Sequence, residues 1–213
     1  MKVIVFGATG GTGKQLIDQA LELGHEVTAF ARQPALTNHK RLTWFAGDVL
    51  DPSSVMNAVK GHDAVLCALG APAFNKHNIR SIGTRNIINA MHKNGVERLI
   101  CQSALGCQDS YDLLPLSYKY LIIPLMLRHV YADHTSQEAE IEKSQLNWSI
   151  VRPSALVDQK AGKKKKNKKI WFGTSQSEAP KLSMKITRKD VADFMLKQLS
   201  SDAFLKQAVN LSC

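Results

Sequence analysis

The chain has 213 residues, 44% of them hydrophobic, which suits one α/β domain and leaves no room for a second full one. Its net charge of +10 overstates its basicity: Lys160, Lys163, Lys164, Lys165, Lys166, Lys168 and Lys169 fall in one stretch, and without them the balance is +3. That stretch reads as a solvated loop rather than a nucleic-acid surface, and the four cysteines have no CxxC spacing for zinc or a disulfide framework, so a reducing cytoplasm is expected.

Lys2–Phe6 is an apolar run expected as a buried first strand rather than a signal peptide. Gly7-Ala8-Thr9-Gly10-Gly11-Thr12-Gly13 follows at once and leads into helix-period residues Thr12–Leu23. That context gives a Gly-rich turn its meaning. Gly7 allows the tight turn, Gly10 lets backbone approach a pyrophosphate, Gly13 lets helix pack on sheet, and the helix N-terminus offers free N–H groups.

Further strands are expected at Glu26–Ala31, Leu42–Ala46, Ala64–Leu69, Arg98–Gln102 and Trp148–Arg152. Their near-continuous hydrophobicity marks parallel strands buried on both faces. Crossover helices are expected at Ser53–Val59, opened by Asp51-Pro52, at Lys76–Lys93, and at roughly Leu116–Ser144 with a break near Pro124. Thr187 with Asp190 starts a last helix ending near Leu199. The pattern predicts a Rossmann-like doubly wound sheet in three α/β/α layers, one NAD(P)-binding domain over 1–213, with 153–213 a substrate-side extension. Leu113–Leu127 is too short, and too broken by Pro115, Lys119 and Pro124, to span a bilayer; it is expected as core or subunit-contact surface, in a monomer or small homo-oligomer.

The second strand ends at Arg32, where a protein built for NAD would place an acid. A guanidinium there suits the 2′-phosphate of NADP(H). Asp48 closes the third strand, where it would face the adenine amine or cap its own turn. Ser103, at the end of strand five, would orient the nicotinamide or donate to substrate, unless it only stabilises its turn. His134 with Glu138, and His129 with Asp133, stand one helical turn apart and read as solvated surface pairs. The residues four positions after Tyr111, Tyr118, Tyr120 and Tyr131 are Pro115, Ile122, Pro124 and Thr135, so the Tyr-x-x-x-Lys pair that serves alcohol–ketone interconversion is absent.

Gly7–Gly13, Arg32, Gly47-Asp48-Val49, Leu69-Gly70, Ser103 and Ser149–Leu156 together resemble the atypical short-chain dehydrogenases/reductases, in the NmrA-like, NAD(P)H-binding group that includes biliverdin and flavin reductases. The resemblance covers essentially the whole chain and is weakest from Lys160 to Ser183. It implies that Gly7, Thr9, Gly10, Gly11, Thr12, Gly13, Arg32, Asp48, Val49, Leu69, Gly70, Ala71, Ser103, Pro153, Ser154, Ala155 and Leu156 lie along the dinucleotide, with an open substrate site over the nicotinamide. Ala155 departs from the group's biliverdin reductase, which has histidine after the proline motif, and this counts against biliverdin. The expected activity is an NADPH-dependent reductase acting on a planar, electron-poor small molecule such as a flavin, quinone or tetrapyrrole. A non-catalytic NADP(H) redox sensor is the alternative, and a nucleic-acid module using the lysine run a distant third.

Overall fold

The structure, a computed structural model, describes residues 1–35, 37, 39–72, 77–158, 170–174 and 184–213. Among the described residues eight strands form one sheet in the order β3-β2-β1-β4-β5-β6-β10-β8. These are β1 (Lys2–Phe6), β2 (Glu26–Ala31), β3 (Leu42–Ala46), β4 (Ala64–Cys67), β5 (Arg98–Gln102), β6 (Asn147–Pro153), β8 (Trp171–Gly173) and β10 (Gln207–Ser212). All pairings are parallel except β10 with β8. A separate two-stranded parallel sheet joins β7 (Ala155–Val157) to β9 (Lys185–Thr187).

The expected doubly wound sheet is therefore present. One apolar layer packs α1 (Gly11–Glu22) and α5 (Arg188–Lys197) on one face, through Leu16, Ile17, Val191 and Met195. The other face receives α2 (Pro52–Val59), α3 (Ile79–Asn94) and α4 (Arg128–Glu142), through Val55, Ile87, Met91 and Ile141. The α2 start forms as the sequence requires: Asp51 accepts from Ser53 N at 3.0 Å and Pro52 occupies the first turn. Thr187 likewise caps α5, accepting from Asp190 N at 3.1 Å.

Around Pro124 the expected interruption takes the form of a change in winding: within Leu116–Ser144, Tyr118–Leu127 widens into a π-helix, and α4 follows it at Arg128. Wider turns of this kind accommodate a residue that cannot donate an N–H. Leu113–Leu127 supplies a small core cluster through Leu114 and Ile123, with Leu113 and Tyr118 packed against it, while Leu116, Tyr120, Leu121, Leu125 and Met126 are exposed, Tyr120 at 76%. Among the described residues no helix is long and apolar enough to cross a membrane. The run from Lys160 to Lys169 lies outside the described residues.

Candidate functional site

The order of strands reverses between β1 and β4, and a cleft of about 670 Å³ opens at their carboxyl ends. Doubly wound sheets bind ligands at such a switch point. The turn after β1 makes its floor. Gly7 has φ +79°, and a Cβ there would collide with the Ala68 carbonyl on β4's exit. Gly10 N donates to Gly7 O at 2.9 Å, and a Cβ on Gly13 would collide with the same Gly7 carbonyl. Turn and helix are thus wedged together with no space for a side chain. Gly10 N-caps α1 without a side-chain acceptor, and the first turn holds no acid. Its N–H groups are left for a ligand, which is how helix N-termini take phosphate.

Of the residues expected at the site, Gly7, Thr9, Gly10, Gly11, Thr12, Leu69, Gly70, Ala71, Ser103, Pro153, Ser154, Ala155 and Leu156 line this one cleft. Gly13 is buried behind it. Arg32, Asp48 and Val49 are not in its lining. Arg32 is exposed just past β2, Val49 is buried, and the exposed Asp48 accepts from Leu50 N at 2.9 Å, which is the turn-capping role.

The far wall is apolar and aromatic, from Leu105, Leu114, Tyr118, Ile122, Leu127 and Tyr131. Tyr131 donates to Leu105 O at 2.9 Å, and burial pushes its phenol well up, so it does not ionise. Above β4 and β5 lies a polar layer that reading the sequence missed. Both helical pairs expected to be solvated are buried or partly buried, with Asp133, His134 and Glu138 all inside. Asp133 accepts from Arg80 N (3.1 Å) and Ser81 N (2.9 Å), capping α3 from another helix, and pairs with the Arg80 guanidinium at 3.3 Å. Glu138 grips Arg152 with two bonds of 2.8 Å; burial alone would lower the Arg152 pKa, but Glu138 and Asp109 push it up. Amphipathic spacing could not expose this face, since its charges look like any surface pattern.

Gln137 donates its Nε2 to Thr84 Oγ1 at 2.9 Å, which turns its Oε1 toward His134 Nδ1 at 3.1 Å. His134 Nδ1 therefore carries the proton. Burial first, then the Arg80 charge, lower its pKa to about 3, and the ring is neutral at pH 7. Ser103 Oγ stands 3.5 Å from the same nitrogen and, among the described residues, otherwise meets only the Cys107 sulfur at 3.8 Å. Its hydroxyl proton can turn to a ligand.

The residues present fit a dinucleotide. Ser154 Oγ, Gln102 Oε1 and Arg80 Nε all belong to lining residues and are buried without a hydrogen-bond partner among the described residues. Such atoms are costly to leave unpaired unless a ligand or water meets them. Among the described residues no His, Cys, Asp and Glu cluster could hold a metal.

The chain is similar to several known proteins. A chloroplastic protein of Arabidopsis thaliana, itself uncharacterised, is 34% identical over 166 residues, 73% of this chain and 59% of that protein. The chain spans 37% of the Synechocystis photosystem II assembly factor Ycf39, at 31% identity over 54% of the chain. A Veillonella parvula short-chain dehydrogenase/reductase solved with NADP superposes with a TM-score of 0.80 at 16% identity, covering 100% of this chain and 94% of that one. The anaerobilin reductase ChuY of Escherichia coli O157:H7 superposes at 0.76 and 23%, covering 100% and 97%. At these identities the two structures show the fold. The NAD(P)H-binding family model matches residues 7–202, nearly the whole chain, and the protein belongs to that family.

Proposed function

We propose that the protein is a reductase that prefers NADP(H) and passes hydride to a planar, electron-poor small molecule. The observation that carries this reading is the cleft's construction: a glycine ledge with open amides, an apolar aromatic wall, and no Asp or Glu among the described residues that line it. Bound NADPH would supply the hydride. Gly7–Gly13 would seat the diphosphate, Arg32 the 2′-phosphate, and Leu69–Ala71 with Pro153–Leu156 the remainder of the dinucleotide. Ser103, turned by the neutral His134, would donate one hydrogen bond to the nicotinamide amide or to substrate.

An acceptor that is conjugated takes hydride directly and its proton from solvent, so the chain's task is positioning. Alcohol–ketone chemistry would need a tuned acid, which Tyr131, donating to Leu105 O with its phenol pushed up, does not provide. A linear tetrapyrrole is within this class, and one structural neighbour is named an anaerobilin reductase. The protein has free cysteines, Cys67, Cys101 and Cys107 buried, which suit a reducing compartment such as the cytoplasm.

The test is NADPH consumption with free flavin, a quinone, dichlorophenolindophenol and a linear tetrapyrrole. Turnover with at least one supports the reading. Tight NADPH binding with no turnover across the panel would replace it with that of a redox sensor.

A further inference from the structure

The end of the chain returns to the phosphate turn. Val157 on β7 stands opposite Thr187 on β9, and α5 begins at the next residue, Arg188, alongside α1. The Arg188 side chain lies across Gly11 and lines the cleft. A Cβ on Gly11 would stand 2.5 Å from Arg188 Cδ and 2.6 Å from its Nε. A side chain at Gly11 would therefore displace the outer part of the Arg188 side chain from where it lies.

Stability does not account for that placement. A cation in the first turn of a helix opposes the positive end of the dipole. Its partner, Asp158, bonds Nη1 at 2.7 Å but is 84% exposed, and surface pairs of this sort contribute little. The guanidinium is held loosely, beside open amides, where an anion is wanted.

We propose that Arg188 clamps the diphosphate of the dinucleotide against the first turn of α1, and that Asp158 is the resident counter-ion it exchanges for the phosphate oxygens. The assignment rests on the reading that the dinucleotide lies along Gly7–Gly13. Two N–H groups of a guanidinium match two phosphate oxygens, which an ammonium cannot do. Because NADH and NADPH share the diphosphate, Arg188 serves both, whereas Arg32 serves the 2′-phosphate alone.

Calorimetric titration of NADPH and NADH into the wild-type chain, Arg188→Met and Asp158→Asn tests this. Methionine keeps an unbranched stem over Gly11 and removes the charge. Arg188→Met is expected to weaken both cofactors by the same factor, roughly 10-fold or more. Asp158→Asn, which leaves Arg188 in place, is expected to tighten both by up to about 5-fold. Ligand-free melting temperatures are read first, and Asp158→Asn carries the test if Arg188→Met does not fold. Wild-type binding with Arg188→Met affinities within 2-fold overturns the clamp alone, as does a loss confined to NADPH. Unchanged or weaker binding by Asp158→Asn overturns the exchange. A wild-type chain that binds neither cofactor removes the dinucleotide reading itself and the clamp with it.

Discussion

Two regions in and behind the cleft arrange their polar groups in opposite ways. At the start of α1 the donors are backbone N–H groups, held open by glycines and by a cap residue with no side chain. On α4 the polar groups are Asp133, His134, Gln137 and Glu138, buried and closed upon partners inside the protein. Open donors wait for a ligand, so damage to them belongs in binding. Closed networks join α3, α4 and the strand ends, so damage to them belongs in stability, because a buried charge that loses its partner keeps its full desolvation penalty.

The sharpest way to break the comparison is Gly10→Val. Gly10 has φ −73° and ψ 164°, which valine adopts readily, and a Cβ there meets only Gly7 O at 3.1 Å. The side chain would fill the space a diphosphate needs. The ligand-free melting temperature should fall modestly, while the stabilisation by NADPH, ~2.7 kcal/mol at 100 times Kd and seen as a rise in melting temperature, should vanish. A variant that NADPH still stabilises would put the phosphate site elsewhere.

Glu138→Ala is the opposite case. It leaves Arg152, 1% exposed, with only Asp109, whose side chain is 59% exposed. Breaking a buried pair costs ~3–5 kcal/mol, to be read from urea unfolding, while the NADPH affinity of the folded protein should stay within about 3-fold. A cost below ~1 kcal/mol would mean that Glu138 is not the charge holding Arg152.

The two regions also differ in how legible they were. The glycine turn after β1 could be read because its elements are consecutive: strand, glycines and helix within one short segment. Five strands, β1, β2, β4, β5 and β6, could be read for a similar reason, being largely apolar and buried, whereas β3, expected to be buried on both faces, is an edge strand with no buried residue. β10 could not be read, since Asn210 and Ser212 are buried polar residues that interrupt its apolar pattern, and it joins the sheet beside β6 from far along the chain. The α4 face was misread because Asp133, His134 and Glu138 at helical spacing look like a solvated stripe, and their partners Arg80, Ser103 and Arg152 are distant in sequence. Arg188 escaped notice for the same reason, as its neighbour Gly11 lies at the other end of the chain.

A smaller effect sharpens the ligand side. Arg32 is exposed past β2 and outside the cleft lining, where only a 2′-phosphate extending beyond the ledge would reach it. Arg32→Ala should weaken NADPH by ~10- to 150-fold, the range of one charge-assisted bond, and leave NADH unchanged. Equal wild-type affinities for the two cofactors would remove Arg32 from this role.

The smallest expected effect tests the closed side through pH. Burial and the Arg80 charge lower the His134 pKa from 6.5 to about 3 in the folded protein. Between those values the unfolded chain binds a proton that the native ring refuses. The folded pKa is depressed, so this group's contribution is fully present above pH 6.5 and falls by ~1.4 kcal/mol for each unit of acidification toward 3. His134→Gln keeps a polar group beside Ser103 and cannot titrate. Urea unfolding at pH 7.5 and 5.5 should show the wild type losing about 1.3 kcal/mol more than the variant over that interval. The partly buried His62, also lowered by burial, titrates in both proteins and cancels in the difference. Equal losses in the two proteins would mean that His134 accepts a proton while folded, and Ser103 would then face a cation rather than the neutral ring that leaves its hydroxyl free for the ligand.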